Sequence, residues 1–372
     1  MKSYNAIGLM SGSSLDGLDI AYCQINEDNG NWSYKILLSQ CLPYPHKWKL
    51  RLKNLVLQDA ITYLKTDVFY GHFIGELVRK FITENNLQGK VDFIASHGHT
   101  IFHQPENKMT SQIGDGAAIA AECGIPVVCN FRTMDVALGG QGAPIVPIGD
   151  KLFFPDYNFC LNLGGISNIS FKVNAEKIIA YDISLVNLIL NLLAEQLHLD
   201  FDEDGKNASV GILNKELLQE LNACWYYLKE YPRTLGGGFV GRVIMPIINK
   251  YKISVQDKLR TYCEHIAIQI KNEIEKIYAR EGVEKNPNHT MLVTGGGAFN
   301  IFLMEKIKEH VPVKVLLPNE ETIKFKEALI ITLMGVLRVR NEINCLSSVT
   351  GASMDSIGGE IYEVAGSKVL GG

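Results

Sequence analysis

The chain has 372 residues, 47% of them apolar and 20% charged, with a formal net charge of −4. That is a globular composition too long for one hydrophobic core, so two domains are expected. The charge balance offers no basic field and argues against nucleic acid, and no apolar run approaches bilayer length.

The N-terminus, Met1-Lys-Ser-Tyr-Asn5, leads straight into a strand and lacks the apolar core and small-residue cleavage site of a signal peptide. Eight scattered cysteines form no C-x-x-C pair and lie mostly in apolar runs. They read as reduced, buried thiols of a cytoplasmic protein.

The opening stretch, Ala6 to Met10, is an apolar run that enters the turn Ser11-Gly-Ser-Ser14 and leaves through Leu18, Ile20, Tyr22 and Gln24. This is a strand-turn-strand whose turn can wrap an anion with main-chain donors. Asp16 and Asp19 follow at once, where carboxylates beside a phosphate cradle could hold magnesium. A third strand spans 31–38. Apolar residues between Thr66 and Asn86 recur at three and four, which predicts an amphipathic helix. Val91–Ser96 is a short strand ending at His97-Gly-His-Thr100, and a small-residue helix (116–122) precedes the strand 125–130.

A loop rich in Gly and Pro (136–150) marks a boundary near residue 145. Strand-turn-strand then recurs around Leu163-Gly-Gly165, followed by a strand at 178–181 and helices at about 184–197, 214–229 and 254–280. Met291–Thr294 is a strand running into Gly295-Gly-Gly297. Leu329, Leu333, Val336 and Leu337 share one face of a late helix expected to return to the first domain. The expected domains are 1–145, joined by a returning region at about 341–372, and 146–340. Both halves open on a hairpin whose turn can hold phosphate. This points to a duplicated α/β fold with a cleft between the copies, although no repeat in residue identity is visible.

Three glycine turns follow apolar strands: Gly12–Gly17, Gly164-Gly165 and Gly295–Gly297. The first two can close on phosphates, and the third offers a flat backbone surface for a base and ribose. Gly236–Gly241 mimics a dinucleotide fingerprint but follows no buried strand, and Gly295–Asn300 has Asn where the third Gly belongs, so a nicotinamide enzyme is disfavoured. No G-x-x-x-x-G-K-[ST] occurs, which excludes a P-loop. His97, His99 and His103 read either as a metal cluster or as hydroxyl-binding histidines beside a cleft. Arg132 reads as an anion clamp or as a salt-bridge partner of Asp135 or Asp115. Asp182, ending a strand, reads as a general base or as a helix N-cap.

In order along the chain, the set Met10-Ser-Gly-Ser-Ser-Leu-Asp-Gly-Leu-Asp19, Ser96-His-Gly-His-Thr100, Asn130-Phe-Arg132, Gly139-Gly-Gln-Gly-Ala-Pro144, Asn162-Leu-Gly-Gly-Ile-Ser-Asn168, Thr294-Gly-Gly-Gly-Ala-Phe-Asn300, Lys326-Glu-Ala328 and Ser348-Val-Thr-Gly-Ala352 strongly resembles the anhydro-N-acetylmuramic acid kinase family. That family is similar to the actin, sugar kinase and Hsp70 ATPase superfamily, so the resemblance implies two ribonuclease-H-like domains around an ATP cleft. It also implies an enzyme of peptidoglycan recycling that hydrolyses the 1,6-anhydro ring of its amino sugar and phosphorylates O6, with ATP and Mg2+.

On the same resemblance Asp182 is the catalytic base. Gly12, Ser13, Ser14, Gly164, Gly165, Gly295, Gly296 and Gly297 bind ATP. Asp16, His97, Thr100, Arg132 and Glu327 form the sugar side, with Asp16 also toward the metal and Arg132 toward the lactyl carboxylate. The expected partner is the small amino sugar, with neither nucleic acid nor membrane, and a homodimer is left open. Two segments depart from the family pattern. Asp182-Ile-Ser-Leu-Val-Asn187 stands in place of D-T-G-P-G-N, and Pro232-Arg-Thr-Leu-Gly-Gly-Gly238 in place of P-K-S-T-G-R-E. A bulky side chain in place of glycine could narrow a sugar pocket or reshape a helix start. The rival readings are a nucleotide- or muropeptide-binding sensor and a different sugar kinase of the superfamily.

Overall fold

Strand β1 (Lys2–Ser11) is the centre of the first sheet, because its inward residues Ile7 and Leu9 and the small Ala6 and Gly8 let elements pack on both of its faces. The computed structural model describes residues 1–366 other than 13, 14, 175, 176, 232, 236 and 237. By its contacts the chain divides into two units, Met1–Phe154 with Phe325–Gly372, and Pro155–Lys324.

In the first unit β1 pairs antiparallel with β2 (Gly17–Asp28), and β2 with β3 (Asn31–Pro43). Helices α1 (His46–Asn54) and α2 (Ala60–Glu84) follow, and Asp59 caps α2 by accepting the Thr62 N–H. Tyr70, Ile74, Val78 and Phe81, one face of α2, are buried against the sheet. β4 (Phe93–Gln104) runs parallel to β1 and carries β5 (Met109–Ile113) on its far end. After α3 (Gly116–Cys123), β6 (Val127–Cys129) adds in parallel to β4, and the short helices α4 (Thr133–Ala137) and α5 (Pro147–Phe153) follow.

The second unit repeats the theme. β7 (Phe159–Leu163) pairs antiparallel with β8 (Ile166–Lys172), and β8 with β9 (Ile178–Leu185). Helices α6 (Asn187–Glu195), α7 (Lys206–Val210), α8 (Lys215–Asn222), α9 (Met245–Lys250) and the long α10 (Val255–Glu281) lead to β10 (Thr290–Thr294), parallel to β7. After α11 (Ile301–His310), β11 (Lys314–Leu316) completes the sheet in parallel to β10. The chain passes back into the first unit within α12 (Glu320–Val339), then forms α13 (Ser347–Thr350) and β12 (Glu360–Tyr362), which pairs antiparallel with β6.

The strand orders are β12-β6-β4-β1-β2-β3 and β11-β10-β7-β8-β9. In each, an antiparallel three-strand meander is extended from its first strand by two parallel strands, so β3-β2-β1-β4-β6 and β9-β8-β7-β10-β11 have one ribonuclease-H-like topology. The duplication expected from the two hairpins is therefore present in the connectivity of both sheets. Parallel and mixed sheets present ligands at the carboxyl ends of such strands. Ser11, His97, Leu163 and Thr294 lie at or near those ends.

Candidate active site

In the first unit, α12 approaches β1 so closely that a Cβ on Gly8 would lie 2.0 Å from the carbonyl oxygen of Ala328. Only glycine permits that contact, and it sets Glu327, one residue earlier, near the carboxyl end of β1. Glu327 is partly buried, and its carboxyl is held above the ordinary range by burial and by Asp19, with Arg132 acting in the opposite direction. Lys326, its neighbour, is buried in an ion pair with Asp150 at 2.6 Å and so faces away from that cluster.

Arg132 lies just beyond β6. Its Nε–H donates to His97 Nε2 at 2.9 Å and its Nη1 donates to the Gly142 carbonyl, leaving Nη2 with no hydrogen-bond partner among the described residues. It does not bond Asp135 or Asp115. The fully buried Asp135 instead accepts the Gly142 N–H at 2.7 Å and the Thr350 hydroxyl at 2.6 Å, and Asp115 caps α3. The glycine-rich loop 139–144 is thus latched from both sides, and Arg132 is presented with one arm to spare. The guanidinium fork matches a carboxylate.

The three histidines do not form a metal centre. Gly98, at φ +74, lies between His97 and His99 inside β4, and the two rings serve different partners. His97 meets Arg132. His99 Nδ1 and the Ser11 hydroxyl are hydrogen-bonded at 2.9 Å, and Ser11 accepts from Tyr44 at 2.7 Å and Tyr70 at 3.1 Å. Burial depresses both imidazoles, to about 3 for His97 and about 4 for His99, so both are neutral. His103 bonds Thr110. Among the described residues no three His, Cys, Asp or Glu side chains gather as a metal cage. Thr100 is exposed on β4 opposite Gln112.

The Ser11 network fixes the end of β1 just before the turn that carries Gly12. Ser13 and Ser14 lie outside the described residues. Beyond the turn, Asp16 is exposed and Asp19 partly buried, and Asp19 is raised by burial and by the charge of Asp16 despite its hydrogen bond with Cys41. A carboxylate whose charge is disfavoured by burial and by a neighbouring carboxylate suits a cation. Magnesium takes one or two carboxylates and completes its octahedron with phosphates and water, so this pair fits Mg2+ without a third protein ligand.

In the second unit, the two remaining glycine turns come together. Gly295 has φ +84, and a Cβ there would lie 2.5 Å from Asn162 Oδ1. One on Gly297 would lie 2.8 Å from the Leu163 side chain. The strand β10 therefore enters its turn directly against the end of β7. Asn187 joins them: its Nδ2 donates to the Leu163 carbonyl at 3.1 Å, and its backbone N–H and those of Val186 and Leu188 go to the carbonyls of Gly164 and Gly165. A Cβ on Gly296, by contrast, would meet no atom closer than 3.8 Å, so the face of that residue is open.

Asp182 lies within β9, paired in register with Asn168, and the helix that follows has Val186 at its N-cap with no side-chain cap. The N-cap reading is thereby corrected. Its Oδ2 accepts the Leu235 N–H at 2.9 Å, and burial pushes the carboxyl up to about 6. The residues that depart from the family pattern point inward: Ser184 bonds Ser167, and Leu185 and Val186 are fully buried in the hydrophobic core. The helix start is reshaped by core packing.

Sequence reasoning missed the groups that hold Asp182 from outside the sheet. Tyr226, Arg233 and Leu235 come from a stretch whose apolar periodicity predicts helix to residue 229, whereas α8 stops at Asn222 and only a turn of 3-10 helix (Trp225–Leu228) follows. The dense aromatics of 225–231, just ahead of Arg233, were the available signal.

Two sheets of one ribonuclease-H-like topology, each opening on a glycine-rich hairpin, define the duplicated fold shared by ATP-using sugar kinases. Fold alone does not select a reaction. A family model described as anhydro-N-acetylmuramic acid kinase matches residues 4–364. The anhydro-N-acetylmuramic acid kinase of Francisella tularensis subsp. novicida (strain U112) is 34% identical, covering 97% of this chain and 99% of that one, and that of Sulfurimonas denitrificans is 33% identical over 96% and 99%. That of Clostridioides difficile (strain 630) is 32% identical over 96% and 97%. The chain belongs to the anhydro-N-acetylmuramic acid kinase family, and it is a sugar kinase that uses ATP. Among the described residues no helix is long and apolar enough to cross a membrane.

Proposed function

We propose that the enzyme opens the 1,6-anhydro ring of anhydro-N-acetylmuramic acid with water and phosphorylates the released O6, giving N-acetylmuramic acid 6-phosphate. The observation that carries this reading is Asp182, a carboxylate seated mid-strand, aimed by a single backbone N–H and raised to about 6 by burial. A base works best when its pKa lies near the working pH. Asp182 takes a proton from water as the water oxygen bonds the anomeric carbon. The C1–O6 bond breaks, O6 bonds the γ-phosphorus, and the bond from that phosphorus to the β,γ-bridging oxygen breaks to release ADP.

Phosphoryl transfer needs chiefly positioning and charge stabilisation. Gly12, Gly164 and Gly165 serve the phosphates, and Gly295–Gly297 serves the adenosine. Magnesium, held by Asp16 and Asp19, would neutralise phosphate charge. Arg132, with Nη2 to spare, pairs with the lactyl carboxylate. His97, Glu327 and Thr100 bind the sugar. Membership of the family supports a role in peptidoglycan recycling in the cytoplasm.

The test is a mass measurement. With ATP, Mg2+ and anhydro-N-acetylmuramic acid, the product should be heavier than the sugar by one phosphoryl group and one water. A product heavier by the phosphoryl group alone would mean simple phosphorylation, and no product would favour a sensing protein.

A further inference from the structure

β9 is an edge strand of the second sheet, yet at Asp182 its outer edge is not bare. The Asp182 N–H donates to the Arg233 carbonyl at 3.2 Å, and the Asp182 carbonyl accepts from Arg233 Nε at 3.3 Å and from the Tyr226 hydroxyl at 2.9 Å. With the Leu235 N–H on the carboxylate, four bonds from one outer segment fix this residue's backbone and side chain together. What fixes the segment is Arg233. Its Nη1 donates to the Lys229 carbonyl, and its guanidinium carbon lies 4.8 Å from the centre of the Tyr226 ring and 5.5 Å from that of Tyr181. Its Nη2 is 2.9 Å from Glu273 of α10 in an ion pair with both side chains buried. Lys276 adds a second cation to Glu273 at 2.7 Å and ties it to the Tyr227 carbonyl.

A buried ion pair is a poor source of net stability, since desolvation consumes most of its attraction, but it specifies one arrangement. We infer that the Arg233–Glu273 pair is a positioning device that sets the orientation of the Asp182 carboxylate for the reaction. This inference rests on the reading of Asp182 as the base. α10 is the rigid side of the device, packed on the sheet through Tyr262, whose hydroxyl bonds the Leu185 carbonyl at 3.0 Å. Arg233 carries that rigidity across to the outer segment, and Leu235 delivers it to the carboxylate. The charged and titratable groups facing this corner are Arg233, Tyr226, Tyr227 and Tyr231 from the outer segment, Tyr181 from β9, and Glu273 and Lys276 from α10. Arg233 is the cation that favours the ionised acid. Its removal therefore raises the carboxyl pKa and moves the acid limb of the rate profile to higher pH.

The experiment compares Arg233→Met, Arg233→Lys and the unmutated enzyme in steady-state kinetics from pH 5 to 9, with active sites counted by ATP binding. The expected result for Arg233→Met is a fall in kcat of at least tenfold. KM for ATP and sugar should stay within about twofold, and the acid limb should move upward. Arg233→Lys, which keeps the charge, should restore the acid limb and part of kcat. A merely structural role predicts lower thermal stability and fewer active sites, but unchanged kcat per active site and an unmoved acid limb in both variants, and that result overturns the inference. Asp182→Asn, run alongside, separates the two readings. If it turns over normally, the base assignment itself fails. If it is inactive while Arg233→Met keeps kcat and its acid limb, only the positioning role fails.

Discussion

Arg132 Nε and His97 Nε2 lie 2.9 Å apart, and because a guanidinium can only donate, the imidazole nitrogen must accept. The proton of His97 therefore sits on Nδ1 and is given to the Gly98 carbonyl at 2.9 Å. Burial and the adjacent cation keep that ring neutral down to about pH 3. The arginine is oriented by a histidine that cannot become charged against it.

Arg132→Lys should expose how much of sugar binding depends on that fork. An ammonium cannot hold His97, the Gly142 carbonyl and a ligand carboxylate in one plane. Sugar affinity measured by calorimetry should fall at least tenfold, about 1.4 kcal/mol, with ATP affinity unchanged. Equal sugar affinity in the variant would remove Arg132 from the site. His97 contributes no titration between pH 5 and 8, so a pH dependence of sugar affinity in that range should track Asp182, at about 6, and survive in His97→Gln but vanish in Asp182→Asn.

The adenosine turn gives a contrast between adjacent glycines. Gly296→Val places its branched side chain in open space, so the fold should survive while ATP affinity falls more than tenfold. Gly295→Ala forces a Cβ against Asn162 at a positive φ, and should instead lower stability by about 1–3 kcal/mol. Differential scanning calorimetry with ATP titration distinguishes them. Normal ATP binding by a stable Gly296→Val would take this turn out of the nucleotide site.

Asp182 has a consequence for stability as well as rate. Its folded pKa of about 6 lies above the ordinary 3.8, so the fold favours the protonated acid. The stability this contributes is full below about pH 4 and is lost as pH rises through 6. At pH 8 the ionised side chain costs on the order of 3 kcal/mol. Asp182→Asn keeps an acceptor for the Leu235 N–H and removes the charge. It should therefore unfold at higher urea than the unmutated protein at pH 8, with the difference closing near pH 4. Lower stability of the variant at pH 8 would contradict the burial of this charge.

Much of this arrangement was legible in the residues. The two hairpins were visible because Gly and Ser clusters bound apolar runs, and the duplication followed from their recurrence although no residue identities repeat. The glycine turns at 164 and 295 were visible singly. Their mutual contact through Asn187 was not, because it joins segments far apart in the chain. The helix expected from about 184 starts at Asn187, since Leu185 and Val186 are drawn into the core and prolong the strand. The histidines expected after a strand lie within it, where Gly98 turns the backbone. The hold of Arg233 on Asp182 was hidden for the same reason as the Asn187 contact: a loop lying along an edge strand has no periodicity to read. The passage of the chain between units inside α12 has no sequence mark either, because a continuous helix shows no break in composition.

Whether Asp182 is the base for the attacking water is decided by ADP release in Asp182→Asn that depends on anhydro-N-acetylmuramic acid. Turnover should fall about a hundredfold to ten-thousandfold, the usual worth of a positioned acid or base, while sugar and ATP affinities stay near those of the unmutated enzyme. Near-normal sugar-dependent turnover in the variant would contradict that role for Asp182.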